Sequence, residues 1–111
     1  MNEGDIVLAP VPQADGRIKI RPAVLLRRLP PFGDWLVCGV STQIHQRVAD
    51  FDELIAPGDP DFVNTGLKAT SIVRLGFLGV LPQTSMPGII VSMSRERHQR
   101  LLVNLCRHLS K

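Results

Sequence analysis

The chain has 111 residues, 44% hydrophobic and 21% charged, with 13 Lys and Arg against 10 Asp and Glu for a net charge of +3. That length suits one domain, residues 1–111, with a modest core. Glu3 and Asp5 stand where a signal peptide would be basic, and no apolar stretch approaches membrane-spanning length, so a cytoplasmic chain with no membrane partner is expected.

In chain order, Asp5 to Pro10 reads as the first strand, and Pro12 to Gly16 as a loop of turn-forming residues. Arg21 to Arg28 is the second strand, with Arg27 and Arg28 expected as exposed charges near a sheet edge. Pro30-Pro31-Phe32-Gly33 turns the chain into a third, buried strand from Trp35 to Val40. A polar loop runs from Ser41 to Arg47, and Asp50 to Ala56 reads as a charged edge strand stopped by Pro57-Gly58-Asp59-Pro60.

Ser71 to Leu75 and Phe77 to Leu81 form a strand or bent strand pair with Gly76 allowing a bulge, and Gly88 to Met93 is the last strand. Ser94 is a good N-cap for a helix, Glu96 suits its first turn, and Leu101, Leu102, Leu105, Cys106 and Leu109 fall on one helical face. Cys38 and Cys106 read as small buried hydrophobes without metal-ligand neighbours, and no disulfide is expected between them. His98 shares the side of Leu102 and Leu105, which predicts a packed, structural histidine.

Charge is uneven along the chain. Asp50, Asp52, Glu53, Asp59 and Asp61 stand in a stretch without Lys or Arg, whereas from residue 62 onward seven basic residues face Glu96 alone. This predicts an acidic side and a basic side, the latter favouring polyanions.

Two places carry candidate chemistry. Arg17, Lys19 and Arg21 run into Pro22-Ala23-Val24-Leu25-Leu26, which places a guanidinium beside a fixed backbone at a strand mouth, where its fork of donors matches phosphate or carboxylate. The third strand ends in Ser41-Thr42-Gln43, offering two hydroxyls and an amide. His45 lies just beyond and reads as a loop histidine, with contact to substrate as the lesser alternative.

Four pieces in order, Gly4-Asp5-Ile6-Val7, Arg21-Pro22-Ala23-Val24, the strand ending in Ser41-Thr42-Gln43, and Ser71-Ile72-Val73-Arg74, make nearly the whole chain resemble the MazF/PemK family of toxin endoribonucleases. The resemblance implies a mainly β fold with a C-terminal helix, an SH3-like β-barrel of the CcdB/MazF/PemK kind, assembled as a homodimer. It also implies metal-independent cleavage of single-stranded RNA to 2′,3′-cyclic phosphate and 5′-hydroxyl ends, with no cofactor, and neutralisation by a small antitoxin.

Carried onto this sequence, the resemblance makes Arg21 the charge stabiliser and gives the catalytic hydroxyl to Ser41, where the family has Thr, with Thr42 as the alternate. Arg17, Lys19 and Gln43 are expected RNA contacts, as is His45, although the family pattern calls for no histidine there, and the resemblance places the loop from Gln13 to Arg17 over the RNA groove. Two alternatives remain: a catalytically inactive module binding nucleic acid or antitoxin on the same fold, and a gyrase poison like CcdB. The second is disfavoured because the chain ends in Arg107-His108-Leu109-Ser110-Lys111, not Trp-Gly-Ile.

Overall fold

In the computed structural model, β1 (Asp5–Pro12), β2 (Ile18–Leu29), β3 (Asp34–Ser41), β4 (Glu53–Ile55), β5 (Ser71–Leu81) and β6 (Gly88–Ser92) precede one helix, α1 (Arg95–Leu109). The structure describes residues 1–12, 15–86 and 88–111, with the side chains of residues 12, 89 and 90 outside that description. The strands form one antiparallel sheet in the order β4-β5-β3-β2-β1-β6. No helix among the described residues is long and apolar enough to cross a membrane.

The apolar runs in β1, β2 and β3 are nearly continuous because residues on both faces of the sheet are buried. Alternate residues split into two clusters. Ile6, Val24, Leu26, Cys38, Val40, Val73 and Leu75 face α1 and pack with Leu101 and Leu105. Val7, Ala9, Val11, Ala23, Leu25, Trp35 and Val37 form the second cluster, on the opposite face, with Met86 and Phe77.

β2 lies between β1 and β3, not at an edge as expected from its arginines. Arg27 and Arg28 are both exposed because the register with β3 shifts between Leu25 and Arg27, a bulge that breaks the alternation. Arg27 pairs with Glu3 at 3.0 Å, and Arg28 lies over the Trp35 ring at 5.6 Å. β4 is the expected edge strand, shorter than its charged sequence run. The bulge expected at Gly76 is present: Gly39 pairs with Arg74 and Cys38 with Leu78, so Leu75, Gly76 and Phe77 form an excursion opposite a single step of β3.

The helix is anchored by a buried ion cluster. Arg97, 4% exposed, places all five guanidinium protons. Nε and Nη2 donate to the two oxygens of Asp61, both at 2.9 Å. Nη2 also donates to Asp59 at 2.8 Å, and Nη1 to the Leu54 carbonyl at 2.7 Å and to Glu53 at 3.3 Å. Asp61 further accepts the Ser94 N–H, while Ser94 caps the helix by accepting the Arg97 N–H. Arg100 pairs with Glu53 at 2.8 Å.

The expected acidic side is therefore corrected: Glu53, Asp59 and Asp61 pair with Arg97 and Arg100 of the helix, and Asp52 is buried, accepting the backbone N–H groups of Val48 and Leu75. His98 packs as expected, its Nε2 donating to the Leu26 carbonyl at 2.8 Å. Gly4, at φ +90°, lies under the His98 ring, where a side chain would be both strained and crowded. Cys106 and Leu109 are exposed, because the helix buries the Arg97, Leu101 and Leu105 line and turns those two residues outward.

Hydrogen bonding from Arg97 holds Asp61 down at about 2 against the opposing effect of burial. A carboxyl depressed on folding stabilises the fold above its ordinary value of 3.8, and that contribution is lost as the pH falls toward 2. Arg97→Met should cost about 3–5 kcal/mol at neutral pH, since it leaves buried carboxylates unpaired. It should also flatten the acid limb of stability, both effects being read from urea denaturation at a series of pH values.

Burial first, then the Asp52 charge, pushes the Cys38 thiol upward, while Cys106 is exposed and both are free. A disulfide-exchange dye should titrate one thiol in the native chain and two in denaturant.

Candidate nucleic-acid site

The cleft that gathers the sequence candidates lies at one end of the sheet, on the face opposite α1. It encloses about 280 Å³ and is lined by Val11, Arg21, Gly39, Val40, Ser41, Thr42, Gln43, Gln46, Arg74 and Phe77. Among the described residues its charged lining consists of two guanidiniums, with no carboxylate and no imidazole.

Arg21 is delivered by β2, where it pairs with Ala9 of β1. Pairing with β3 begins only at Ala23, so Pro22, which has no N–H to give, stands where the β3 ladder has stopped. Extending the Ala23–Gly39 register by two residues along each strand sets Arg21 opposite Ser41. The Nε of Arg21 is buried without a hydrogen-bond partner among the described residues. A buried donor left unpaired is unfavourable, and an oxygen ligand in the cleft would satisfy it.

Ser41 is the last residue of β3, and its Oγ accepts the Gln43 N–H at 3.0 Å, which turns the chain out of the strand. With that lone pair engaged, its hydroxyl proton remains available to donate. Thr42 is exposed. The 3₁₀ turn Ile44–Gln46 follows, and the Gln46 N–H donates to the Gln43 carbonyl at 3.0 Å, bringing Gln43 and Gln46 to the cleft together.

The structure thus gathers Arg21, Ser41, Thr42 and Gln43. Arg17, Lys19 and His45 do not line the cleft: Arg17 and Lys19 are exposed, Arg17 lying 3.7 Å from Asp15, and His45 is exposed on the 3₁₀ turn. Within the expected covering loop, Gln13 and Ala14 lie outside the described residues. Sequence reasoning missed Arg74, Gln46 and Phe77. Arg74 was visible only as part of a strand, and its placement depends on the β5 bulge.

That bulge brings the Phe77 ring under Gly39, where an added Cβ would lie 3.3 Å from Cδ1 of the ring. Arg74 stacks over Phe77 at 5.8 Å. A missing side chain on β3 thereby makes room for an aromatic floor, and the floor supports the second guanidinium.

No protein-family model and no curated protein matches the sequence. Among solved structures, the Mycobacterium tuberculosis toxin MazF-mt6 is similar, with a TM-score of 0.68 and 21% identity over 96% of each chain. The likeness establishes architecture: this chain has the MazF-like toxin fold, a curled six-stranded antiparallel sheet with one C-terminal helix.

Proposed function

We propose that the chain is an endoribonuclease toxin of a toxin-antitoxin pair, a single domain acting in the cytoplasm as a homodimer, cleaving single-stranded RNA in the cleft. The observation that carries this reading is the pair of guanidiniums, Arg21 and Arg74, in a cleft that also holds Ser41, with no carboxylate to repel phosphate.

RNA cleavage of this kind requires the ribose 2′-hydroxyl to lose a proton and attack the adjacent phosphorus. The 5′-oxygen leaves with a proton, giving a 2′,3′-cyclic phosphate and a 5′-hydroxyl. Negative charge accumulates on the non-bridging oxygens in the transition state, where the unpartnered Nε of Arg21 and the hydroxyl of Ser41 supply donors. Arg74, stacked on Phe77, adds a second positive charge that needs no reorganisation. Gln43, Gln46 and Thr42 suit hydrogen bonding to exposed base edges and ribose. An acidic antitoxin segment covering the two arginines would block the same site.

One observation favours a second reading. Without an imidazole or carboxylate in the cleft, proton transfer falls to solvent or to groups outside it, and a catalytically inactive RNA-binding module on the same fold would need nothing more than the cleft contains.

Incubation of the purified chain with long single-stranded RNA in EDTA, followed by end-group analysis, separates the two. Fragments with 5′-hydroxyl ends are expected, with rate falling about 10²–10³-fold in Arg21→Ala. RNA that stays intact yet is retained by the protein would establish the binding module. In the same assay, Ser41→Ala should lose far more rate than Thr42→Ala. Gly39→Val should displace Phe77 and with it Arg74, weakening RNA retention in a filter-binding titration while Arg21 remains in place.

A further inference from the structure

Two segments far apart in sequence supply much of the polar lining of the cleft. The turn after β3 brings the amides of Gln43 and Gln46, and the β5 bulge brings Arg74 and Phe77. Both segments are bonded to one side chain, Asp52, which is 4% exposed and lies one residue before β4. Its Oδ2 accepts the Val48 N–H at 2.9 Å, two residues beyond Gln46, and its Oδ1 accepts the Leu75 N–H at 3.0 Å, next to Arg74. One carboxylate therefore spans the two.

The backbone explains how it does so. β4 meets β5 at Glu53, Leu54 and Ile55, and the pairing of Glu53 with Val73 is its last step. Past that step the Asp52 side chain continues the ladder to Leu75, where the excursion opposite β3 begins. Toward the loop, Asp52 and Val48 exchange two bonds, because the Asp52 N–H also donates to the Val48 carbonyl at 2.9 Å. The ring they close turns through Asp50 at φ +62°, a left-handed backbone that is strained for a residue other than glycine. The Asn104 amide donates to the Phe51 carbonyl at 3.2 Å, which ties this turn to α1.

A buried carboxylate with no ion pair among the described residues contributes little to stability by its charge. What its two oxygens fix is a geometry. We infer that Asp52 is a positioning residue for the proposed reaction, holding the amides of Gln43 and Gln46 in register with the Arg74 guanidinium. A phosphate and a neighbouring base edge stand at a set spacing along an RNA strand, so both are met together only when the two segments keep their separation. Arg21 and Ser41 are supported elsewhere, by β1 and by the end of β3. Asp52 thus acts on the reading of bases more than on bond cleavage. The inference rests on the endoribonuclease reading and extends it to selectivity among RNA sequences.

Two substitutions break the span without touching the cleft lining. Asp52→Asn exchanges one oxygen for an NH2 group, so whichever way the amide turns, the N–H of Val48 or of Leu75 loses its acceptor. Val48→Pro deletes only the first donor and keeps the carboxylate. It also suits Arg47, which at φ −62° and ψ 131° already has the conformation favoured before proline. On a single-stranded RNA with one preferred cleavage site, each variant should raise KM at least about 10-fold while kcat falls less than about threefold. Discrimination against a single-base change beside that site should fall by a similar factor.

Binding of the same RNA carrying 2′-O-methyl groups, which block cleavage, supplies a second readout. In double-mutant cycles each substitution should be non-additive with Gln46→Ala and additive with Arg21→Ala. If Asp52→Asn loses the native circular dichroism spectrum, Val48→Pro carries the test. Unchanged KM and selectivity, a loss confined to kcat, or additivity with Gln46→Ala in the folded variant would overturn the role of Asp52 alone. A wild-type chain that retains RNA without cleaving it overturns the endoribonuclease reading, and the binding cycles then decide the inference. A chain that neither cleaves nor retains RNA overturns both.

Discussion

The fold depends on the Arg97 guanidinium being fully paired. Moving that group out of water is costly, and the cost is offset only because its five protons meet two oxygens of Asp61, one of Asp59, one of Glu53 and the Leu54 carbonyl. The partners come from 36 to 44 residues away in sequence, so one side chain ties the helix N-terminus to β4 and to the segment after it. Leu101 and Leu105 follow Arg97 on the same line of the helix and are thereby held over the cluster of Ile6, Val24, Leu26 and Val73. With one face of the sheet closed in this way, the end of the other face is left open, and the cleft lies there.

Much of this architecture was legible in the sequence. Short apolar runs between Pro, Gly and Asp located the strands, Ser94 marked the start of the helix, and the strand mouths at Arg21 and Ser41 fall on opposite sides of one cleft. These features are local, set by periodicity and turn chemistry within a few residues.

What was not legible is long-range. The acidic run from Asp50 to Asp61 reads as a solvated acidic face until the fold brings it against Arg97 and Arg100, and no local pattern announces that contact. Cys106 illustrates a smaller effect: an apolar-looking stripe of five residues was too wide for the contact, and the sheet took the side bearing Arg97, which charge alone would assign to solvent.

The cleft shows how a local rule and a distant contact combine. A glycine in a buried strand ordinarily weakens it, with no side chain to pack. At Gly39 the space is filled instead by Phe77, which reaches it only because β5 spends three residues opposite one step of β3. Arg74 then rests on the ring, on the same side of the sheet as Arg21 and Ser41. Glycine, bulge, aromatic ring and second guanidinium form a dependent series: removing the space at residue 39 displaces the ring, and moving the ring releases the charge. Arg21 depends on none of these, since β1 and the end of the β3 ladder fix it. The two positive charges are thus held by independent supports, which is what a site needs if it is to remain rigid around a phosphate whose charge grows during reaction.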